Sequence, residues 1–177
     1  PWFYQYALML LPFTLYRWSA DAAEEHDQIV ATLQVIVIAI YFWSGIHKFN
    51  PGFINAYNNN LLSPILERLE GNFFASAIKA FAYAIPAIEA LAAIGLAFIK
   101  TRRLAIVTVI AMHIVILVII GPIQGKITNS VVWPWNFAMI ALVLCLFRDS
   151  HVTPFRRFWL TRQKITSAVI LFLVLPA

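Results

Sequence analysis

The chain has 177 residues, of which 62% are hydrophobic, 15% aromatic and only 12% charged, with a mean hydropathy of +0.79. That balance excludes an ordinary water-soluble domain, in which about a quarter of residues are charged. The net charge of +5 comes from basic residues placed mostly beside apolar runs, so it argues for membrane orientation and against nucleic acid, and the single cysteine, Cys145, excludes an internal disulfide, a CxxC redox pair or a thiolate metal cluster.

Tested against the roughly 20 residues that cross a bilayer core, the apolar runs predict an all-α, polytopic membrane bundle of about six transmembrane helices plus a short interfacial helix, forming one domain over residues 1–177. The expected spans are Trp2–Tyr16, Ile29–His47, Phe74–Ile99, Leu104–Ile120, Val132–Phe147 and Ile165–Leu175. The sequence begins at Pro1 and stops at Ala177 inside an apolar run, so it is expected to continue beyond one or both ends. Between the second and third spans, Ser63-Pro64 and the apolar-acidic pattern of Leu61–Glu70 predict a helix lying at the interface. Lys100–Arg103 reads as the short break joining the third span to the fourth, which makes those two antiparallel neighbours. Gly121-Pro-Ile-Gln-Gly125 fits GxxxG only nominally, because its proline and its place at a span end mark a turn.

The segment 148–164 carries Arg148, Arg156, Arg157, Arg162 and Lys164 against one acid, Asp149. It predicts the cytoplasmic side. Alternation of spans adds Arg17, Lys100, Arg102 and Arg103 to that side and leaves Lys48, Arg68, Lys79 and Lys126 opposite, nine basic residues against four. Lys48 then lies at the exoplasmic end of its span.

An ionisable side chain near the bilayer centre costs at least ~2.5–3.5 kcal/mol, so each one needs a reason. Glu89 sits mid-span, three residues after Pro86, and His113 sits mid-span in the next helix. The two are placed to face each other, either as a proton-transferring pair or as a structural lock. At the end of the second span Tyr41, Ser44 and Lys48 share one helix face. Lys48 either snorkels to the interface or turns inward, where a lysine taken from water becomes a usable general base. Asn129-Ser-Val-Val-Trp-Pro-Trp-Asn136 opens the fifth span, with Pro134 suited to a first helical turn. Trp133 and Trp135 are belt residues or ligand contacts, and Asn136 falls at the level of Lys48. The sequence has no HExxH, no close histidine pair and no P-loop, so no metal site is expected.

The segment Tyr41-Phe-Trp-Ser-Gly-Ile-His-Lys-Phe-Asn50-Pro-Gly-Phe-Ile-Asn-Ala-Tyr57 resembles the membrane core of the vitamin K-dependent gamma-carboxylases and their bacterial relatives, the horizontally transferred transmembrane (HTTM) proteins. The resemblance continues in order through Ala87-Ile-Glu89, Lys100-Thr-Arg-Arg103 and Met112-His113. It implies a reduced quinone as co-substrate and Lys48 as the base that deprotonates it. The Val132–Asn136 stretch departs from that pattern, so protein glutamate carboxylation is not carried over. The central spans also resemble the DoxX and MauE groups, which likewise place Gly-x-x-Lys at a span end. That likeness implies quinone or thiol redox chemistry, and with one cysteine only the quinone branch remains.

The sequence thus leads to a bacterial inner-membrane protein whose core takes a quinone-like or other lipophilic substrate. In an enzyme of the carboxylase-like or quinol-dependent class, Lys48, His113 and Glu89 are the catalytic candidates, and Tyr41, Asn50, Trp133, Trp135 and Asn136 the substrate contacts. The alternative is a non-catalytic subunit or scaffold packed on partner membrane proteins, with Glu89 and His113 as locks.

Overall fold

The structure, a computed structural model, describes residues 9–10, 22–69, 73–123 and 132–155. Among these the regular elements are helices: α1 (Ala22–His47), α2 (Pro51–Ala56), α3 (Ser63–Arg68), α4 (Phe73–Ala82), α5 (Ile85–Ala97), α6 (Ile99–Val118) and α7 (Val132–Phe147), with π-helical turns at Tyr57–Leu61 and Ile119–Ile123. The described residues are all-α, as the apolar runs predict. Apart from Met9 and Leu10, the expected spans Trp2–Tyr16 and Ile165–Leu175 lie outside the described residues, as do Arg156, Arg157, Arg162 and Lys164.

Two described helical segments are long and apolar enough to cross a bilayer unaided, His26–His47 and Ile99–Ile123. The bent pair Phe73–Ala82 and Ile85–Ala97 supplies a third crossing when taken as one span. Helix α7 has 16 residues. At 1.5 Å per residue that is about 24 Å, short of a hydrocarbon core of ~30 Å.

The 48° bend between α4 and α5 has a local cause. Pro86, in the first turn of α5, lacks an N–H and crowds the carbonyl four residues earlier, that of Ala82. Ala82 is the last residue of α4. The same spacing recurs in α6, where Pro122 stands four residues after Val118, the last α-helical residue before the backbone widens into the π-turn.

Two sequence expectations need correction. Lys100–Arg103 is not a break but the first turn of α6, because lysine and arginine are good helix formers. The reversal is made by Phe98, extended at φ −109° and ψ 128°, whose carbonyl accepts from Arg102 N at 2.9 Å. The interfacial helix expected over Leu61–Glu70 is confined to Ser63–Arg68, and the stretch before it is helical too. Asn50 starts that stretch: its Oδ1 accepts from Phe53 N at 2.7 Å, with Pro51 pre-set for the first turn.

Helix α1 packs mainly on α5, α5 on α6 and α6 on α7, while α1 also touches α7. Their shared core includes Val37, Ala93, Leu96, Val109, Met139, Val143 and Phe147. Lipid tails are as apolar as leucine, so association between spans relies on close packing through small residues and on interhelical hydrogen bonds. Ala90, Ala92, Ala93 and Ala97 supply the small surface on α5.

The end of the bundle near the α5–α6 reversal is tied by polar contacts. Arg102, 4% exposed, donates from Nε to Leu96 O at 3.2 Å, from Nη1 to Ser150 O at 2.7 Å and from Nη2 to Val152 O at 3.0 Å. Its guanidinium also lies over the Phe147 ring, 5.8 Å from the centroid. Gln34, fully buried on α1, donates to Leu146 O at 2.6 Å and Ser150 Oγ at 3.0 Å. Together they fasten the segment after α7 to α1 and α6.

Candidate polar site within the helical bundle

Gly45 is where the site begins. A Cβ at this position would lie 2.8 Å from Ala90 N and 2.8 Å from Pro86 O, so only glycine lets the α1 backbone rest directly on the first turn of α5. One turn later Lys48 stands across from Glu89, and its Nζ reaches Glu89 Oε2 at 2.5 Å. The lysine side chain is 28% exposed and the carboxylate 4%. Lys48 therefore turns inward and does not snorkel away from the bundle. Phe53 of α2 covers the ammonium, with its ring centroid 5.7 Å from Nζ.

A second polar chain runs beside the first. Tyr41 lies two turns before Lys48, and its hydroxyl is 2.7 Å from His113 Nε2. His113 Nδ1 is 2.6 Å from Asn136 Oδ1, and Asn136 Nδ2 donates to Val132 O at 2.7 Å. The last contact fixes the amide, because the reverse orientation would set its oxygen against a carbonyl oxygen. With Oδ1 facing the ring, His113 Nδ1 must carry a proton and donate. In the neutral imidazole Nε2 then accepts from the Tyr41 hydroxyl. Three helices, α1, α6 and α7, are joined through one buried ring.

Both chains border one cavity of about 570 Å³, whose lining includes Tyr41, Lys48, Glu89, His113, Trp135 and Asn136. That volume lies within the ~300–1,000 Å³ usual for small-molecule sites. The two polar levels expected from the sequence are thus brought together. Glu89 hydrogen-bonds to Lys48, the residue that follows α1, and His113 to Tyr41 of α1. Ser44, Trp43, His47 and Met112 also line the cavity. Of these, Ser44 was marked by its shared face with Tyr41 and Lys48, whereas Met112 carried no signal beyond its place before His113.

Two expected contacts sit elsewhere. Asn50 is exposed and spends its amide on the turn, Nδ2 donating to His47 O at 2.6 Å while Oδ1 caps α2. It thereby sets the angle at which α2 leaves α1. Trp133 packs on the π-turn of α6, where a Cβ on Gly121 would fall 2.7 Å from the indole, and its ring lies 6.0 Å from that of Phe137. Among the described residues no group of three or more His, Cys, Asp or Glu is arranged to hold a metal ion.

Apolar crossing helices around a buried ion pair and a Tyr-His-Asn chain define an integral membrane protein with a polar site inside its bundle. Residues 26–126, more than half of the chain and including Tyr41, Lys48, Glu89 and His113, match the family model of the methylamine utilisation protein MauE. The chain belongs to the MauE family. No curated protein and no solved structure matches it.

Proposed function

We propose that this MauE-family protein binds a lipophilic small molecule of the quinone class in the cavity between α1, α5, α6 and α7, and exchanges a proton with its polar head. The observation that carries this reading is the Lys48–Glu89 pair on the wall of a cavity of small-molecule size. A quinol would supply an acidic hydroxyl and two-electron chemistry. The donors and acceptors around the cavity suit such a head: an ammonium, a carboxylate, a phenol and an imidazole.

The lysine resemblance suggests Lys48 as base, and the ion pair modifies that assignment. Paired with a carboxylate, Lys48 already holds its proton. The accepting group is Glu89: the hydroxyl O–H breaks, the proton passes to the carboxylate, and Lys48 stays beside the oxygen that lost it. Charge is balanced throughout, zero net before and after. Tyr41, whose hydroxyl proton is spent on His113, offers its oxygen as an acceptor to the head and orients it, and Trp135 bounds the cavity at the α7 side. We place this site toward the exoplasmic face of a bacterial inner membrane and the 148–164 segment on the cytoplasmic face, on the strength of the basic-residue asymmetry. The setting suggested by the family name is methylamine utilisation.

A second reading is favoured by the pairing of these particular groups with one another: Lys48 with Glu89, His113 with both its neighbours. On that reading the contacts only lock helices together in a subunit that packs on other membrane proteins. Replacing both Lys48 and Glu89 by methionine separates the two. Apolar replacement of both partners of a buried pair is often neutral for folding, so a folded double variant that has lost benzoquinone binding supports the ligand site. A double variant binding as the parent does would sink it.

A further inference from the structure

We infer that the same ligand is single-tailed and that its hydrocarbon chain lies in a second, apolar cavity reached from the bilayer between α4 and α6. This rests on the reading of the first cavity as the head site. The second cavity, of about 560 Å³, is bounded by Ile78 and Phe81 of α4, Ile88 of α5, and Ala111 and Val115 of α6, with Tyr57, Leu61 and Leu62 also in its wall. Six residues belong to both walls: Lys48, Phe53, Glu89, Met112, Ile116 and Val132. The ion pair therefore stands at the junction, with polar partners on one side and aliphatic side chains on the other.

Three features assign the occupant. A polar cavity and an apolar one that share the Lys48–Glu89 wall suit a molecule with a polar end and an apolar end. Phe81 and Val115 line the cavity and are 58% and 52% exposed, so the cavity opens on the outer face of the bundle, where lipid lies. The break at Tyr83–Ala84 and the 48° bend tilt α4 relative to α5, and Ile78, Phe81, Ile85 and Ile88 on the two sides of that bend all line the cavity. Spaced three, four and three residues apart, these four side chains form one apolar face that continues across the bend.

The test compares a benzoquinone carrying a decyl chain with the same ring bearing none. Each is titrated into the full chain in nanodiscs, with uptake by empty nanodiscs subtracted. Ala111 is exposed, so Ala111→Trp fills the apolar cavity from its rim without entering the core. The expected result is a preference of about tenfold for the tailed probe, abolished in Ala111→Trp while the bare ring binds unchanged. Equal binding of the two probes, or a preference that survives Ala111→Trp, overturns the tail site and leaves the head site standing. If neither probe binds the parent protein, the quinone head is wrong. The tail site is then read by a single-chain fatty alcohol with a mid-chain diazirine. Labelling of the peptides carrying Ile78 and Val115 that is lost in Ala111→Trp supports a tail with a different head. Labelling that is unchanged, or given equally by a two-chain phospholipid probe, overturns it.

Discussion

Lys48, the residue that follows α1, and Glu89 of α5 meet at 2.5 Å one turn beyond the point where Gly45 lets the two backbones touch. The glycine and the lysine three residues later form one device: the first brings the helices together, and the second uses the approach to reach a carboxylate that α1 could not otherwise contact.

Gly45→Ala is therefore expected to cost more than the usual helix preference for alanine returns. The added methyl would meet backbone atoms at 2.8 Å, which cannot yield as a flexible side chain would. The helices must part, and a penalty of about 1–3 kcal/mol is expected for such overpacking. Thermal unfolding in detergent micelles reads the stability. A cysteine pair placed across α1 and α5 and probed by spin-label distance reads the separation.

Single and double changes at the ion pair are expected to diverge. Glu89→Ala leaves the Lys48 ammonium in the bundle without its carboxylate, at a cost of about 3–5 kcal/mol by comparison with other buried pairs. Lys48→Met with Glu89→Met is expected to recover most of that stability. Unfolding midpoints of the two proteins in the same detergent check the difference, and equal destabilisation would contradict it.

The His113 tautomer is set by Asn136 and not by Tyr41. Imidazole nitrogen shifts in a protein labelled at histidine are expected to show the proton on Nδ1 in the parent and in Tyr41→Phe. Asn136→Leu is expected to release that preference and to lower stability by about 1–3 kcal/mol, the cost of a buried donor left unpaired. A parent ring protonated only on Nε2 would contradict the assigned chain.

Arg102→Lys is expected to behave as a loss, not as a conservative change. The guanidinium donates to three carbonyls in different directions, a fork that a single ammonium does not reproduce. Faster proteolysis within 148–155, with little change at the Lys48 site, is the expected outcome.

Much of this arrangement was legible in the sequence because apolar runs and isolated polar residues are strong signals in a membrane protein. The placement of Tyr41, Ser44 and Lys48 on one face needed only helical spacing, and Glu89 and His113 stood out by charge at depth. What was not legible was partnership. Spacing along one helix says nothing of which neighbour supplies the approach, so Glu89 and His113 were set against each other when α1 and the residue that follows it hold their partners. Arg102 was counted only among the basic residues of one membrane side, because its acceptors, the carbonyls of Ser150 and Val152, are backbone atoms some fifty residues away and carry no side-chain signature. Asn50 and Trp133 resemble site residues by type, yet a cap and a close contact with glycine use the same chemistry. The extent of the helix before Ser63 was missed because one cap, Asn50 with Pro51, starts it inside a segment rich in asparagine.

The most direct test of the central claim is the affinity of the full chain in nanodiscs for a decyl-benzoquinone, measured for the parent and for Lys48→Met with Glu89→Met. The account predicts saturable binding above that of empty nanodiscs in the parent, weakened by about tenfold or more in a double variant that remains folded. Equal affinity in the two folded proteins would contradict it.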